Sequence, residues 1–296
     1  MGRGADIWCF GSINIDHVHS LDHLPLAGET LASGAYAVHL GGKGANQSVA
    51  AARAGATVRH MGAVGSDGLD MRDVMAGYGV DCGAVQVLDG ATGHAIIMVD
   101  QSGENAIVLH GGANHALALD PVLSALEGAR AGDFLLMQNE TAWQREIAAA
   151  ASARGMKVVY SAAPFSADAV QAVLPYISML MMNEIEAQQL QQALGVTIAD
   201  LPIDVVVITK GAKGASWHER GRAEVFVPAL PVRVLDTTGA GDCFAGALVT
   251  ALSEGQEPAD AMQFATRAAA LQVSCAGAAA AMPCRAQIDA LAGEGR

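Results

Sequence analysis

The sequence predicts an α/β fold: a mostly parallel central sheet covered by helices on both faces, giving three layers, with a small β-layer set apart. Two observations carry this. From Asp133 onward, short apolar runs alternate with helical stretches, the pattern of a parallel sheet buried on both sides. Earlier, Gly93–Val99 and Ala106–His110 are β-rich runs joined by Asp100-Gln101-Ser102-Gly103-Glu104, a hairpin signal in a place where a doubly wound sheet has none. Hydrophobic residues make up 52% of the chain and aromatics only 4%, which suits small side chains packed closely between helices and sheet.

Taken in order, Asp6–Phe10 reads as a buried first strand ending at Gly11-Ser12. Asn14 and Asp16 follow at its end, where α/β proteins tend to hold ligands. Residues 17–40 are less regular and read as short strands off the main sheet. With 92–111 they form a candidate lid, so residues 1–296 are read as one domain with a lid from segments about 15–40 and 92–111. His17, His19 and His23 lie in this part, at a spacing that also suits a metal; solvated or hydrogen-bonded histidines are the alternative. A helix runs to Ala54 and stops at Gly55. Thr57–Val64 is a strand, and Gly65-Ser66-Asp67-Gly68 turns into another helix. The later strands are Phe134–Gln138, Lys157–Ser161, Ser178–Met182 and Asp204–Thr209, with helices 141–154, 166–174 and 184–194 between them. Short strands carry Trp217, Val225 and Val227. Helices 240–253, 258–275 and one near 286–292 complete the chain, with Ala276–Ala281 as a tight loop or helix end.

Net charge is −13, which argues against nucleic acid or an anionic membrane as the main partner. The five cysteines (Cys9, Cys82, Cys243, Cys275, Cys284) are scattered, as expected of a reducing compartment. No signal peptide and no apolar run of membrane-spanning length is apparent, so a cytoplasmic protein is expected.

Two glycine turns carry the chemistry. Asp236-Thr237-Thr238-Gly239-Ala240-Gly241-Asp242 feeds directly into an apolar helix. Its threonines could cap the helix, and the N–H groups of Gly239, Ala240 and Gly241 would face an anion at the positive end of the helix dipole. Asp242 is a carboxylate beside that anion site, sensible if it takes a proton from an attacking hydroxyl. An acid simply favoured by the dipole is the plainer alternative. The second turn, Gly41-Gly42-Lys43-Gly44-Ala45-Asn46, presents Lys43 and Asn46 about one turn apart. It is not a Walker A loop, and the chain has no Gly-x-Gly-x-x-Gly, which weakens a dinucleotide reading.

Together these stretches resemble the two signatures of the PfkB carbohydrate kinases. Agreement extends over nearly the whole chain, through Gly11–Asp16, Gly28-Glu29-Thr30, Gly103-Glu104-Asn105, Gly112-Ala113-Asn114, Asn183-x-x-Glu186 and Thr209-Lys210-Gly211, and is strongest with the ribose-phosphorylating members. The resemblance implies an ATP-dependent sugar kinase with a β-lid over the sugar, commonly dimeric through the lid. Carried over residue by residue, Asn14, Asp16, Gly42, Lys43, Asn46 and Glu140 would hold the sugar. Asp242 would be the base, with Gly239, Ala240 and Gly241 as the anion hole. Asn183, Thr209, Gly211 and Gly214 would line the ATP site, and Glu186 would hold Mg²⁺ through water. Asp236, Thr238 and Gly277 would form a K⁺ site.

Two departures bear on the sugar. Ser161-Ala162-Ala163-Pro164 stands where the family commonly has Asn-Pro-Ala-Pro, and His94 occupies a lid strand position where an aliphatic residue is expected. D-Ribose is the favoured acceptor; fructose, a nucleoside or a ketodeoxy sugar acid is the nearest rival, and a sugar or nucleotide sensor without catalysis is the reading from a different class. Asn14 and Asp16 favour a neutral polyol.

Overall fold

The computed structural model describes residues 4–293. Thirteen strands occur among them: β1 (Ile7–Phe10), β2 (Asn14–Ser20), β3 (Ala35–Gly41), β4 (Val58–Gly65), β5 (Asp81–Leu88), β6 (Gly93–Val99), β7 (Asn105–His110), β8 (Phe134–Gln138), β9 (Lys157–Ser161), β10 (Met179–Asn183), β11 (Val205–Thr209), β12 (Gly214–Glu219) and β13 (Val225–Pro228). The helices are α1 (Lys43–Arg53), α2 (Leu69–Gly77), α3 (Ala113–Ala116), α4 (Leu119–Leu126), α5 (Gln144–Ala153), α6 (Ala167–Val173), α7 (Glu184–Leu194), α8 (Ala240–Ser253), α9 (Pro258–Gln272) and α10 (Arg285–Gly293).

Nine strands form the main sheet in the order β13-β12-β11-β10-β9-β8-β1-β4-β5. It is parallel from β11 to β5, and β12 and β13 extend it antiparallel. Side chains alternate across a strand, and the core divides accordingly. Ile7, Leu136, Met181 and Val207 face α1, α8 and α9, whereas Trp8, Met137, Met182 and Ile208 face α4 to α7. This is the expected three-layer arrangement. The carboxyl ends of the parallel strands share one edge of the sheet, where ligands of such folds collect.

The second sheet has the order β3-β2-β6-β7, with β2 and β6 parallel and both outer pairs antiparallel. It rises from the end of β1 through Gly11–Ile13. The hairpin expectation holds, and residues 14–41 supply two short strands, β2 and β3, joined by an irregular connection over 21–34.

Three elements were not anticipated: β5, α3 and α4. β5 is an edge strand of half-exposed residues interrupted by Gly83, and α4 carries Pro121 in its first turn. The expected helix 141–154 begins later, at Gln144, because Trp143 adopts a left-handed conformation with φ 60°. The helix expected to reach 275 ends at Gln272.

Helices α1 and α8 cross at very short range. A Cβ on Gly246 would stand 2.6 Å from the Gln47 carbonyl oxygen and 2.9 Å from the Ala51 nitrogen. Only a residue without a side chain permits this approach, since the obstructing atoms are backbone and the Ala50 Cβ at 2.7 Å, none of which can swing aside. Gly246→Ala is therefore expected to cost about 1–3 kcal/mol through overpacking. Chemical denaturation checks this; an unchanged midpoint would mean that the helices separate freely.

Candidate active site

The close crossing brings the first turn of α8 against α1. Asp242 is buried there, and both carboxylate oxygens are held: Asn46 Nδ2 donates to one at 3.1 Å and Gln47 Nε2 to the other at 2.9 Å. Gln138 Nε2 in turn donates to Gln47 Oε1 at 2.7 Å, fixing its orientation. Burial pushes the Asp242 carboxyl up, opposed by Lys43 and by the two amides. It is thus a carboxylate that gains by accepting a proton yet stays oriented by neutral donors.

At the preceding turn, Gly239 is the helix N-cap with φ 79°, and no side chain caps the helix. The threonines do not cap it as expected. Ala240 also departs from expectation, because its N–H donates to the Thr237 carbonyl at 3.1 Å. The N–H groups of Gly239, Gly241 and Asp242 make no hydrogen bond within the described residues. An anion would find its donors there.

Next to Asp242 lies a polar cluster from both sheets. Lys43 opens α1 after Gly42, whose φ of 89° and contact with the Ser12 carbonyl suit glycine. Burial works against the Lys43 charge, but Asp242, Glu140, Glu186 and Asp16 outweigh it and raise its pKa. Glu140 accepts from the Ser12 hydroxyl and, at 3.0 Å, from the Lys43 backbone N–H. Burial and the neighbouring Glu140 push the Asp16 carboxyl up to about 6, against the pull of Lys43. Asn14 Oδ1 accepts from Asn114 Nδ2 at 2.8 Å, and Asn114 also bonds both backbone groups of Ile13. The buried Asn46 Oδ1 has no partner among the described residues, an acceptor that a ligand hydroxyl could satisfy. All six residues expected at the sugar end therefore converge. Sequence reasoning missed Gln47, Asn114 and Gln138; for Asn114 the Gly112-Ala113-Asn114 match was a signal.

A cavity of about 210 Å³ adjoins this cluster, lined by Lys43, Ser161, Asn183, Glu186, Gly241 and Asp242 among others. Thr209, Thr237, Ala240 and Gly241 connect it to a larger apolar cavity of about 510 Å³, reached by Gly211, Gly214 and Phe244. The smaller space is the more polar and the larger is mostly apolar, a contrast that would suit phosphates in the first and an aromatic base in the second. Asn183 and Glu186 form the capping box of α7, with Asn183 N–H donating to Glu186 Oε2 at 2.7 Å and Glu186 N–H to Asn183 Oδ1 at 2.9 Å. The other Glu186 oxygen makes no hydrogen bond within the described residues. Mg²⁺ keeps several waters and takes one or two carboxylates with phosphate oxygens, so a single carboxylate beside this cavity fits it.

Asp236, Thr238 and Gly277 also meet. Asp236 Oδ1 accepts from Thr238 N–H and Oδ2 from Gly277 N–H, both at 2.9 Å. The carbonyls of Thr238 and Gly277, however, are occupied by Gln272 Nε2, at 2.7 and 3.0 Å. An amide donor points where a K⁺ ion would need oxygen atoms, so this arrangement does not fit that ion. Gln272 gave no signal in the sequence.

His94 does not reach the sugar end. It pairs with Ile15 and His110, while Asp16 pairs with Ala95, so His94 and Asp16 lie on opposite faces of the small sheet. His17 Nδ1 is 2.7 Å from the Tyr36 hydroxyl and His23 Nε2 3.0 Å from Glu29. Among the described residues no group of three or more His, Cys, Asp or Glu is arranged to hold a metal. Cys243 is a buried core residue whose thiol burial pushes up, unsuited to a nucleophile.

Comparison with known proteins agrees with this geometry. Residues 5–285 match the model of the pfkB family carbohydrate kinases. The chain belongs to that family. As a PfkB member it is a sugar kinase, transferring a phosphoryl group to a hydroxyl acceptor. It is 39% identical to a ribokinase of Haemophilus influenzae (93% of this chain, 94% of that protein) and 34% identical to one of Bacillus subtilis (97% and 99%). Among solved structures, the Arabidopsis thaliana ribokinase complexed with ribose and ATP superposes with a TM-score of 0.88 at 28% identity, covering 97% of this chain and 98% of that one.

The position of Asp16 implies a pH dependence. Above about 6 its carboxylate is ionised and would be able to accept from ligand hydroxyls; below, it is protonated and would lose that capacity. Sugar affinity is expected to weaken below this point by up to about tenfold per pH unit. Titration calorimetry across pH checks it, and the same inflection in Asp16→Asn would assign the effect to another group.

Proposed function

We propose that the protein is an ATP-dependent ribokinase, transferring the γ-phosphoryl group of ATP to the 5-hydroxyl of D-ribose. One observation carries the reading: Asp242 is buried and pinned by two amides, between a cluster of hydroxyl-binding side chains and a turn of free N–H groups. The ribokinase relatives over nearly the full chain support ribose as the acceptor.

In this reading Asn14, Asp16, Gly42, Asn46 and Glu140 orient the sugar, and Asn114 holds Asn14. Asp242 accepts the proton of the 5-hydroxyl as its oxygen bonds to the γ-phosphorus, and the bond to the β-phosphate oxygen breaks to release ADP. Positioning and charge stabilisation supply most of the rate. The N–H groups of Gly239 and Gly241 face the transferring phosphoryl, and Lys43 offsets its charge beside the sugar. Asn183, Thr209, Gly211 and Gly214 border the nucleotide. Mg²⁺, carried on the phosphates and held by Glu186 through water, would supply further charge neutralisation. No step is assigned to a monovalent cation.

We also read the small sheet as a lid that pairs with a second copy. Ile107 and Leu109 are 52% and 60% exposed on the face that carries Asp16, and exposed aliphatic residues on a sheet favour association. Light scattering should give a dimer for the wild type and a monomer for Leu109→Lys. A monomeric wild type would remove the lid contact.

The function is tested by ADP release from ATP and Mg²⁺ with ribose, deoxyribose, fructose, adenosine and ketodeoxygluconate. Ribose is expected to give the highest kcat/KM; preference for another alcohol would keep the mechanism and change the substrate. Asp242→Asn is expected to bind ATP normally but lose about 10²–10⁴-fold in kcat. Near-normal turnover would rule Asp242 out as the base.

A further inference from the structure

We infer that the side-chain amide of Gln272 takes the place of the monovalent cation at the loop beside the anion hole, so that this kinase turns over without K⁺. The inference rests on the kinase reading above. Gln272 is the last residue of α9 and is fully buried. Its Nε2 group carries two hydrogens, and each has an acceptor: the Thr238 carbonyl at 2.7 Å and the Gly277 carbonyl at 3.0 Å. These oxygens come from the two segments that flank the glycine turn, one immediately before Gly239 and one in the loop after α9.

Asp236 ties the same two segments through their N–H groups, at Thr238 and Gly277. The segments are thus clamped twice, by a carboxylate on their donors and an amide on their acceptors. A cation bound between carbonyl oxygens does the same mechanical work as that amide: it draws oxygens together by presenting positive charge to them. A neutral NH₂ group does it with two directed hydrogen bonds. The amide also excludes the ion, because its hydrogens occupy the space between the oxygens and would repel a positive charge.

The contact matters for catalysis because Gly239 packs against this loop. A Cβ on Gly239 would stand 3.1 Å from the Ala278 side chain and 3.4 Å from its Cα. The loop after Gly277 therefore backs the turn whose N–H groups face the phosphoryl. Gln272 is a positioning residue, touching neither sugar nor nucleotide. Its Oε1 is buried without a partner among the described residues, an uncompensated acceptor retained while Nε2 is satisfied twice. Turning the amide over would set Oε1 against two carbonyl oxygens, which only a cation between them would stabilise.

The experiment compares wild type, Gln272→Ala and Gln272→Glu in tetramethylammonium buffer and in KCl of equal ionic strength, reading kcat with the preferred sugar and the melting temperature of the unliganded protein. Wild type is expected to change less than about twofold in kcat and not at all in melting temperature. Gln272→Ala should fall about tenfold or more without K⁺ and recover with it, and Gln272→Glu, which offers oxygens instead of hydrogens, should be stabilised by K⁺. A wild type that requires K⁺, or that K⁺ stabilises, overturns the inference whatever the variants do. A fall in Gln272→Ala that K⁺ does not restore, in a protein that still melts cooperatively, also overturns it. Absence of phosphoryl transfer under every condition would instead remove the kinase reading.

Discussion

Much of this molecule depends on one steric fact: α1 and α8 touch backbone to backbone at Gly246. The two helices are separated by almost two hundred residues of chain, yet their contact sets Asn46 and Gln47 against Asp242. Separating the helices by the width of a methyl group would leave the carboxylate buried without its donors, and a buried unpaired charge is costly. The sheet beneath keeps the arrangement in register, since α1 leaves the small sheet beside the end of β1. Gly44 packs so tightly on Gly11 that a Cβ there would lie 2.5 Å from backbone atoms. Three glycines without catalytic chemistry of their own thus determine where the Asp242 carboxylate, the proposed base, is held.

Charge is arranged with the same economy. The protein is strongly acidic, and its site gathers Asp16, Glu140, Glu186 and Asp242 around a single lysine. Burial raises Asp16, Glu186 and Asp242, and Lys43 opposes the rise at each. Mutual repulsion among the acids is limited because Asp242 and Glu140 are also held by neutral donors. In the proposed reaction backbone N–H groups and Lys43 would meet the anionic phosphates, so the overall negative charge would not have to be overcome by a wide basic surface.

The parallel core and both glycine turns were legible because each rests on local rules: apolar runs of strand length, glycines where φ is positive, and a helix directly following. Of the residues expected at the sugar end, Gly42, Lys43 and Asn46 lie in one of those turns, whereas Asn14 and Asp16 were singled out at a strand end and Glu140 by the resemblance alone. Gln47 and Gln272 were not. Glutamine is a good helix former and usually faces water, so a buried one in mid-helix or at a helix end looks like any surface residue until its partner on another helix is known. Gln47 acquires a role from Asp242, and Gln272 from Thr238 and Gly277. The role of His94 was left open for a related reason: a strand position has two faces, and the choice between them follows from register with β2, which the sequence does not reveal. β5 and α4 escaped because a half-exposed edge strand and a helix with an early proline weaken the periodicity on which such readings rely.

The small sheet grows straight out of β1, and Asn14 and Asp16 are its first residues. Everything proposed to touch the nucleotide, by contrast, belongs to the ends of β10 and β11 or to the segments that follow them. Acceptor and donor recognition therefore have separate genetic addresses in one reading frame, meeting only at Lys43 and Asp242. A change confined to β2 could therefore alter which alcohol is accepted without touching any residue proposed to move the phosphoryl group.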